Sequence, residues 1–143
     1  MAISNLRAIR LSEVSRVKTT FTYVGIRVKD LQQSIDFYTN LLGMTLVARH
    51  TIPETKGEIA ELQSGDTAFI LELNYYAEAS PYSTEYVVGE GLDHLAFKVD
   101  DIDTALREAE RLGHLLTHEV NTDRNRWAYI EDPNGIWIEL ISE

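Results

Sequence analysis

The sequence predicts an α+β fold made of two copies of one βαβββ module, and three observations predict it. Tyr23-Val-Gly-Ile-Arg-Val-Lys-Asp-Leu31 aligns without a gap on His94-Leu-Ala-Phe-Lys-Val-Asp-Asp-Ile102. In both copies apolar residues alternate with polar or small ones, as in a half-buried strand, and both then reach an aspartate suited to cap a helix. The match resumes at the end of each half, where Ile70-Leu-Glu-Leu73 resembles Trp137-Ile-Glu-Leu140, so Glu72 and Glu139 are equivalent.

Residues 1–19 carry sparse apolar positions at loosely helical spacing and read as an arm; residues 20–143 form one domain. Thr20 to Val28 alternates as a strand. Asp30 fits an N-cap, and Leu31, Ile35, Tyr38 and Leu42 recur at helical spacing up to Gly43, a residue that ends helices well. Strands follow over Met44 to Ile52, Gly57 to Gln63 and Thr67 to Asn74, with Ser64-Gly65-Asp66 as a tight turn. The first module thus spans 20–75. Residues 76–90 are a linker rich in tyrosine, a composition that suits a ligand cleft or a subunit contact. The second module, 91–143, repeats the order: a strand from Leu92 to Val99, a helix capped by Asp101 or Asp103 and ended by Gly113, and strands at His114 to Val120, Arg126 to Glu131 and Ile136 to Ile141. Asp132-Pro133-Asn134-Gly135 places proline and glycine where a type I turn favours them.

With 143 residues, 44% of them hydrophobic, the chain can bury a core of its own. It has no cysteine, so a metal would have to sit on His, Asp or Glu. No apolar run approaches the roughly 20 residues of a membrane-spanning helix, and charges interrupt any signal-peptide core, which points to a cytoplasmic protein. The net charge of −10 argues against nucleic acid and membrane surfaces as partners. A small molecule remains the expected partner, and an anionic one would need local cations such as Arg27, Lys98, Arg124 and Arg126.

Strand parity then selects a face. Val24, Ile26, Val28, Phe69, Leu71 and Leu73 in the first module, and Leu95, Phe97, Val99, Ile136, Ile138 and Leu140 in the second, take the side packed under the helices. Tyr23, Glu72, His94 and Glu139 consequently share the opposite side. A mid-strand carboxylate among apolar neighbours is costly unless paired, exposed or metal-bound, and here it recurs at both equivalent positions. His94, Glu72 and Glu139 offer oxygen and imidazole donors of the kind that hold Zn, Ni, Co, Mn or Fe with open positions for water and substrate. Arg27 and Lys98 occupy equivalent positions on that face. His118 sits on a strand that can face it, whereas His50 and His114 read as structural or exposed.

Together the two modules, the Tyr23 to Met44 stretch, Leu71-Glu-Leu-Asn-Tyr75, Asp93-His-Leu-Ala-Phe-Lys-Val-Asp-Asp101 and Asp132-Pro-Asn-Gly-Ile-Trp-Ile-Glu-Leu-Ile141 resemble the vicinal oxygen chelate superfamily, and most of all its glyoxalase I (lactoylglutathione lyase) branch. The resemblance implies a glyoxalase-like half-barrel and places the family's His, Glu, His and Glu metal ligands on Tyr23, Glu72, His94 and Glu139. The first departs from the pattern, since a neutral phenol is a weaker donor than imidazole. That departure counts against an extradiol dioxygenase, which needs a histidine there. For a glyoxalase the resemblance implies a hemithioacetal substrate held through two neighbouring oxygens by the divalent metal, with Glu139 or Glu72 taking a proton from carbon. It also implies a homodimer, because one open sheet cannot close a site alone. The competing expectation is a metal-free binding protein of the antibiotic-resistance type, with Tyr23, Trp127, Trp137 and the linker tyrosines as stacking surfaces, or another enzyme of the superfamily such as an epimerase or dioxygenase.

Overall fold

A computed structural model of the chain describes residues 18, 22–114, 116–121 and 126–142. The arm, apart from the exposed Lys18, and Thr20 and Arg124 lie outside the described residues. The first module runs β1 (Val24–Arg27), α1 (Leu31–Asp36), β2 (Thr45–Ile52), β3 (Gly57–Gln63) and β4 (Ile70–Tyr76). The second runs β5 (His94–Lys98), α2 (Ile102–Arg111), β6 (Leu116–Asn121), β7 (Arg126–Glu131) and β8 (Trp137–Ser142). Each module forms one four-stranded sheet, in the orders β1-β4-β3-β2 and β5-β8-β7-β6. The expected α+β class and its repeated βαβββ order are therefore present.

The first and last strands of each module pair in parallel, the others antiparallel. This sets Gly25 beside Glu72 and Ala96 beside Glu139. Parity does the rest: Ile26, Leu71, Leu73, Ile138 and Leu140 are buried under the helices, which leaves Glu72 and Glu139 on the open faces. Phe69 is a correction to the expected inner row. Strand β4 starts only at Ile70, because Ser64 N–H donates to the Phe69 carbonyl and closes a wider loop than the expected tight turn, leaving Phe69 75% exposed.

Both helices start as the sequence dictates. Asp30 Oδ1 accepts from Gln33 N–H at 2.8 Å, and Asp101 Oδ1 from Thr104 N–H at 3.2 Å. Asp103, the other candidate cap, instead lies in the first turn of α2 and pairs with Arg126 at 2.8 Å. Gly43 and Gly113 follow the helices at φ +69° and +84°, a region that glycine enters without steric cost. Helix α1 departs from the regular spacing predicted for it. Over Phe37–Leu41 it widens into a π turn, which lets the adjacent rings of Phe37 and Tyr38 both be buried against the core.

A single core runs through both modules, from Ile26, Leu31, Ile35 and Leu73 to Ile102, Ala109, Ile130 and Leu140. At its centre is a polar lock that the sequence shows only as a turn. Asp132 and Asn134, 4% and 2% exposed, project from the β7–β8 turn onto the first helix. Tyr38 Oη donates to Asp132 Oδ2 at 2.9 Å, Asn134 Nδ2 donates to Ser34 Oγ at 3.1 Å, and Lys29 N–H donates to Asn134 Oδ1 at 2.8 Å. Within the turn, Asn134 N–H and Ile136 N–H both donate to Asp132 Oδ1 at 2.8 Å. Burial, then the Asp132 carboxylate, raises the Tyr38 phenol well above its ordinary range, so it remains a donor. Among the described residues no helix is long and apolar enough to cross a membrane.

Candidate functional site

Each helix packs on its own sheet, and the opposite faces carry the candidate residues as two half-sites. The second-module half-site is the better defined. His94 and Glu139 reach towards each other from adjacent strands, with His94 Nε2 at 3.0 Å from Glu139 Oε2 and side chains 29% and 17% exposed. On its other side, His94 Nδ1 lies 2.6 Å from Oδ2 of the exposed Asp93 side chain. Tyr129 stands directly opposite Glu139 on β7, in the same row of the open face. Burial first, then the Glu139 charge, raises the Tyr129 phenol above its ordinary value and keeps it protonated.

Aromatic rings continue outward from this pair. The Tyr129 ring meets the His94 edge at 5.5 Å and lies 5.5 Å from Trp137, whose indole in turn lies 5.1 Å from His118. Trp127 and Lys98 flank the same face, both in register with Ile141. Neither Tyr129 nor Asp93 stood out in the sequence. The alternation of Trp127, Tyr129 and Glu131 with Ala128 and Ile130 would have given Tyr129 its face, and pairing outward from the Asp132–Gly135 turn would have set it opposite Glu139.

The first-module half-site comprises Tyr23, Gly25 and Glu72. A β-carbon added at Gly25 would lie 3.8 Å from the Tyr23 ring and 3.9 Å from Glu72 Oε1, so both side chains border the space over that glycine. Tyr23 is 48% exposed. Glu61, also absent from the sequence reading, faces Glu72 across the β3–β4 pair. Arg27 is engaged with the linker: it donates to Thr84 Oγ1 at 2.5 Å and to the Glu85 carbonyl at 2.8 Å, and lies 4.9 Å from the Tyr86 ring centre. Beside it a cavity of about 500 Å³ opens between Gly25, the 84–92 segment and Ile136. Arg126 is drawn away to Asp103 and Glu119, tying α2 to β6. His50 is exposed on β2, and the His114 ring packs at 4.5 Å on Phe37.

A separation of 3.0 Å between an imidazole nitrogen and a carboxylate oxygen is what two neighbouring ligands subtend at about 2.1 Å from one divalent ion. Together with the Asp93 contact to the far nitrogen, the pair fits two positions of a metal's coordination shell. Among the described residues of one chain, no three His, Asp or Glu side chains converge on a common point, and Glu72 stays on the first sheet. One chain therefore presents two donors here and further donors, Glu72 and Tyr23, elsewhere.

Residues 20–140 match the family model described as Glyoxalase/Bleomycin resistance protein/Dioxygenase superfamily. The lactoylglutathione lyase of Escherichia coli O157:H7 is 35% identical over 123 residues, covering 82% of this chain and 88% of its own. A probable chloroplastic lactoylglutathione lyase of Arabidopsis thaliana is 33% identical over 136 residues, 92% of this chain, which spans only 38% of that longer protein. Among solved structures, the trypanothione-dependent glyoxalase I of Leishmania major superposes with a TM-score of 0.71 at 29% identity, covering 88% of each chain.

Proposed function

The chain belongs to the glyoxalase/bleomycin resistance protein/dioxygenase superfamily, and from that premise we propose that it is a lyase of the glyoxalase I type, isomerising the hemithioacetal of a 2-oxoaldehyde and a thiol. The observation that supports this most is the His94–Glu139 pair, with its carboxylate only 17% exposed and aimed into the open face. In this reading Glu139 takes the proton from the thiol-bearing carbon and returns it to the neighbouring one, which converts the hemithioacetal into a thioester of a 2-hydroxy acid. Glu72 is the alternative base from the opposite side. His94, Glu139 and Glu72 would hold a divalent metal, with Tyr23 at the position of the missing histidine. Such an ion, when bound, supplies Lewis acidity to two adjacent substrate oxygens. Trp127 and Lys98 border the substrate on the second sheet. Glu139→Gln is expected to abolish isomerisation while metal uptake persists; full activity in that variant would remove Glu139 from the role.

The two half-sites complete each other across a homodimer, Tyr23 and Glu72 of one chain facing His94 and Glu139 of the other. Mixing and re-pairing Glu72→Gln with Glu139→Gln tests this directly. Random re-pairing leaves about a quarter of the sites intact if they form between chains. No recovery is possible if each site lies within one chain, so an inactive mixture of re-paired chains would sink the dimer arrangement.

The aromatic row of Tyr129, Trp137 and His118 favours a second reading, a metal-free binder that stacks a planar ligand on this face. Metal analysis separates the two. Stoichiometric transition metal that is lost in His94→Ala supports the lyase, and none after metal addition supports the binder.

A further inference from the structure

We propose that Tyr129 is a positioning residue, which holds Glu139 against His94 by donating its phenol O–H to the carboxylate, and acts on the substrate only through it. The proposal rests on reading Glu139 as the reacting carboxylate. Three features of the second sheet carry it. First, Tyr129 is the direct cross-strand partner of Glu139, so the two side chains rise from the same spot on the same face. Second, the phenol ring is itself held, with the His94 ring against it at 85° and the Trp137 indole on another side, both at 5.5 Å between centres. Third, the terminal torsion of a glutamate is broad and two-fold, so a single contact does not fix it. Here the carboxylate is met by the His94 imidazole at 3.0 Å, and the Tyr129 ring, packed against that imidazole, rises from the position directly opposite Glu139. Fixed from two directions, Glu139 keeps one oxygen on the imidazole side where a metal or a substrate proton would meet it.

Tyr129→Phe keeps the ring and its contacts and deletes only the donor. The loss expected is that of an outer hydrogen-bond partner of a ligand, about 10- to 100-fold in metal affinity or activity. Two quantities are to be measured on the full chain: Kd for Co(II) alone, by visible absorption, and the split between kcat and KM. Tyr129→Phe should weaken Co(II) binding about tenfold or more and lower kcat similarly, with KM little changed. A cycle with Glu139→Gln then decides the route. If Tyr129 works through Glu139, deleting its hydroxyl in the Glu139→Gln background changes Co(II) affinity far less than in the wild type. Equal effects in both backgrounds would overturn the proposal.

The same cycle read by thermal midpoint in metal-free protein needs neither metal nor substrate. Additive midpoints overturn the positioning role. Coupled midpoints alongside a wild-type chain that takes up no metal and turns over no hemithioacetal would instead overturn the lyase reading, leaving the contact itself standing.

Discussion

Replacing Asp132 by alanine should be among the most damaging changes outside the open faces. The carboxylate accepts from Tyr38 Oη, Asn134 Nδ2, Asn134 N–H and Ile136 N–H at 2.8 to 2.9 Å. Tyr38 is fully buried and cannot turn its hydroxyl to bulk water. A buried donor left without an acceptor costs about 1–3 kcal/mol, and here a phenol and at least one backbone amide are stranded together. With the loss of the network they belong to, the sum is about 4 kcal/mol, at the upper end of single substitutions. For a chain of this length that lowers the thermal midpoint by roughly 10–16 °C. Tyr38→Phe removes one donor and leaves the other three in place, so its cost is about 1–2 kcal/mol. Because the lock joins the modules, the wild-type chain should unfold in one calorimetric transition, and Tyr38→Phe should cost little more in the Asp132→Ala background. A midpoint within about 3 °C of wild type for Asp132→Ala, or additive losses in the double variant, would show that the Asp132 carboxylate and the Tyr38 hydroxyl do not depend on each other.

Three further outcomes follow from other parts of the structure. Burial depresses the His114 pKa, so the fold favours neutral imidazole; its contribution is complete above about pH 6.5 and is lost as pH falls from there through the folded-state value. Urea unfolding at pH 7.5 and pH 5.5 should therefore show a larger acid loss in wild type than in His114→Gln, and equal losses would argue against it. Gly25→Val puts a side chain 3.2 Å from Asn74 Nδ2 and into the space bordered by Tyr23 and Glu72; activity and Co(II) affinity should fall at least tenfold while circular dichroism stays unchanged. Arg27→Ala releases the Thr84 and Glu85 contacts, and limited proteolysis should then cut within residues 76–90 faster than in wild type, with stability lowered by about 1 kcal/mol or less.

Much of this arrangement was legible because strand alternation is a strict two-residue period. Given the repeat, parity alone set Glu72 and Glu139 on the faces away from the helices, and an aspartate followed by a helical pattern located the Asp30 cap and narrowed the second to Asp101 or Asp103. Contacts that depend on distance rather than period were not legible. Tyr129 and Trp137 meet because a hairpin brings them into neighbouring rows, and the Asp93 side chain meets the adjacent His94 ring through a contact no period encodes. Arg27 has the parity of a cleft residue, yet its guanidinium is claimed by a linker whose path no periodicity encodes. The lock was hidden for a similar reason. Asp-Pro-Asn-Gly is a turn sequence wherever it occurs, and only the approach of Tyr38 and Ser34 converts its polar side chains into buried partners. The π turn followed from packing too, since two adjacent bulky rings must both enter the core.

The two hairpin turns of the repeat have diverged in what they tolerate. Around Gly65, the β3–β4 loop is open to solvent, and nothing stands within 4 Å of a side chain added at that glycine. Foreign peptide, an affinity tag or new chain ends could be introduced there with the core untouched. Its counterpart at Asp132 to Gly135 is a keystone, and any lengthening there would prise apart the halves it joins. The symmetry of the strands thus conceals a division of labour between loops: one turn faces solvent and carries only its own local contacts, and the other is committed to holding the molecule as a single body.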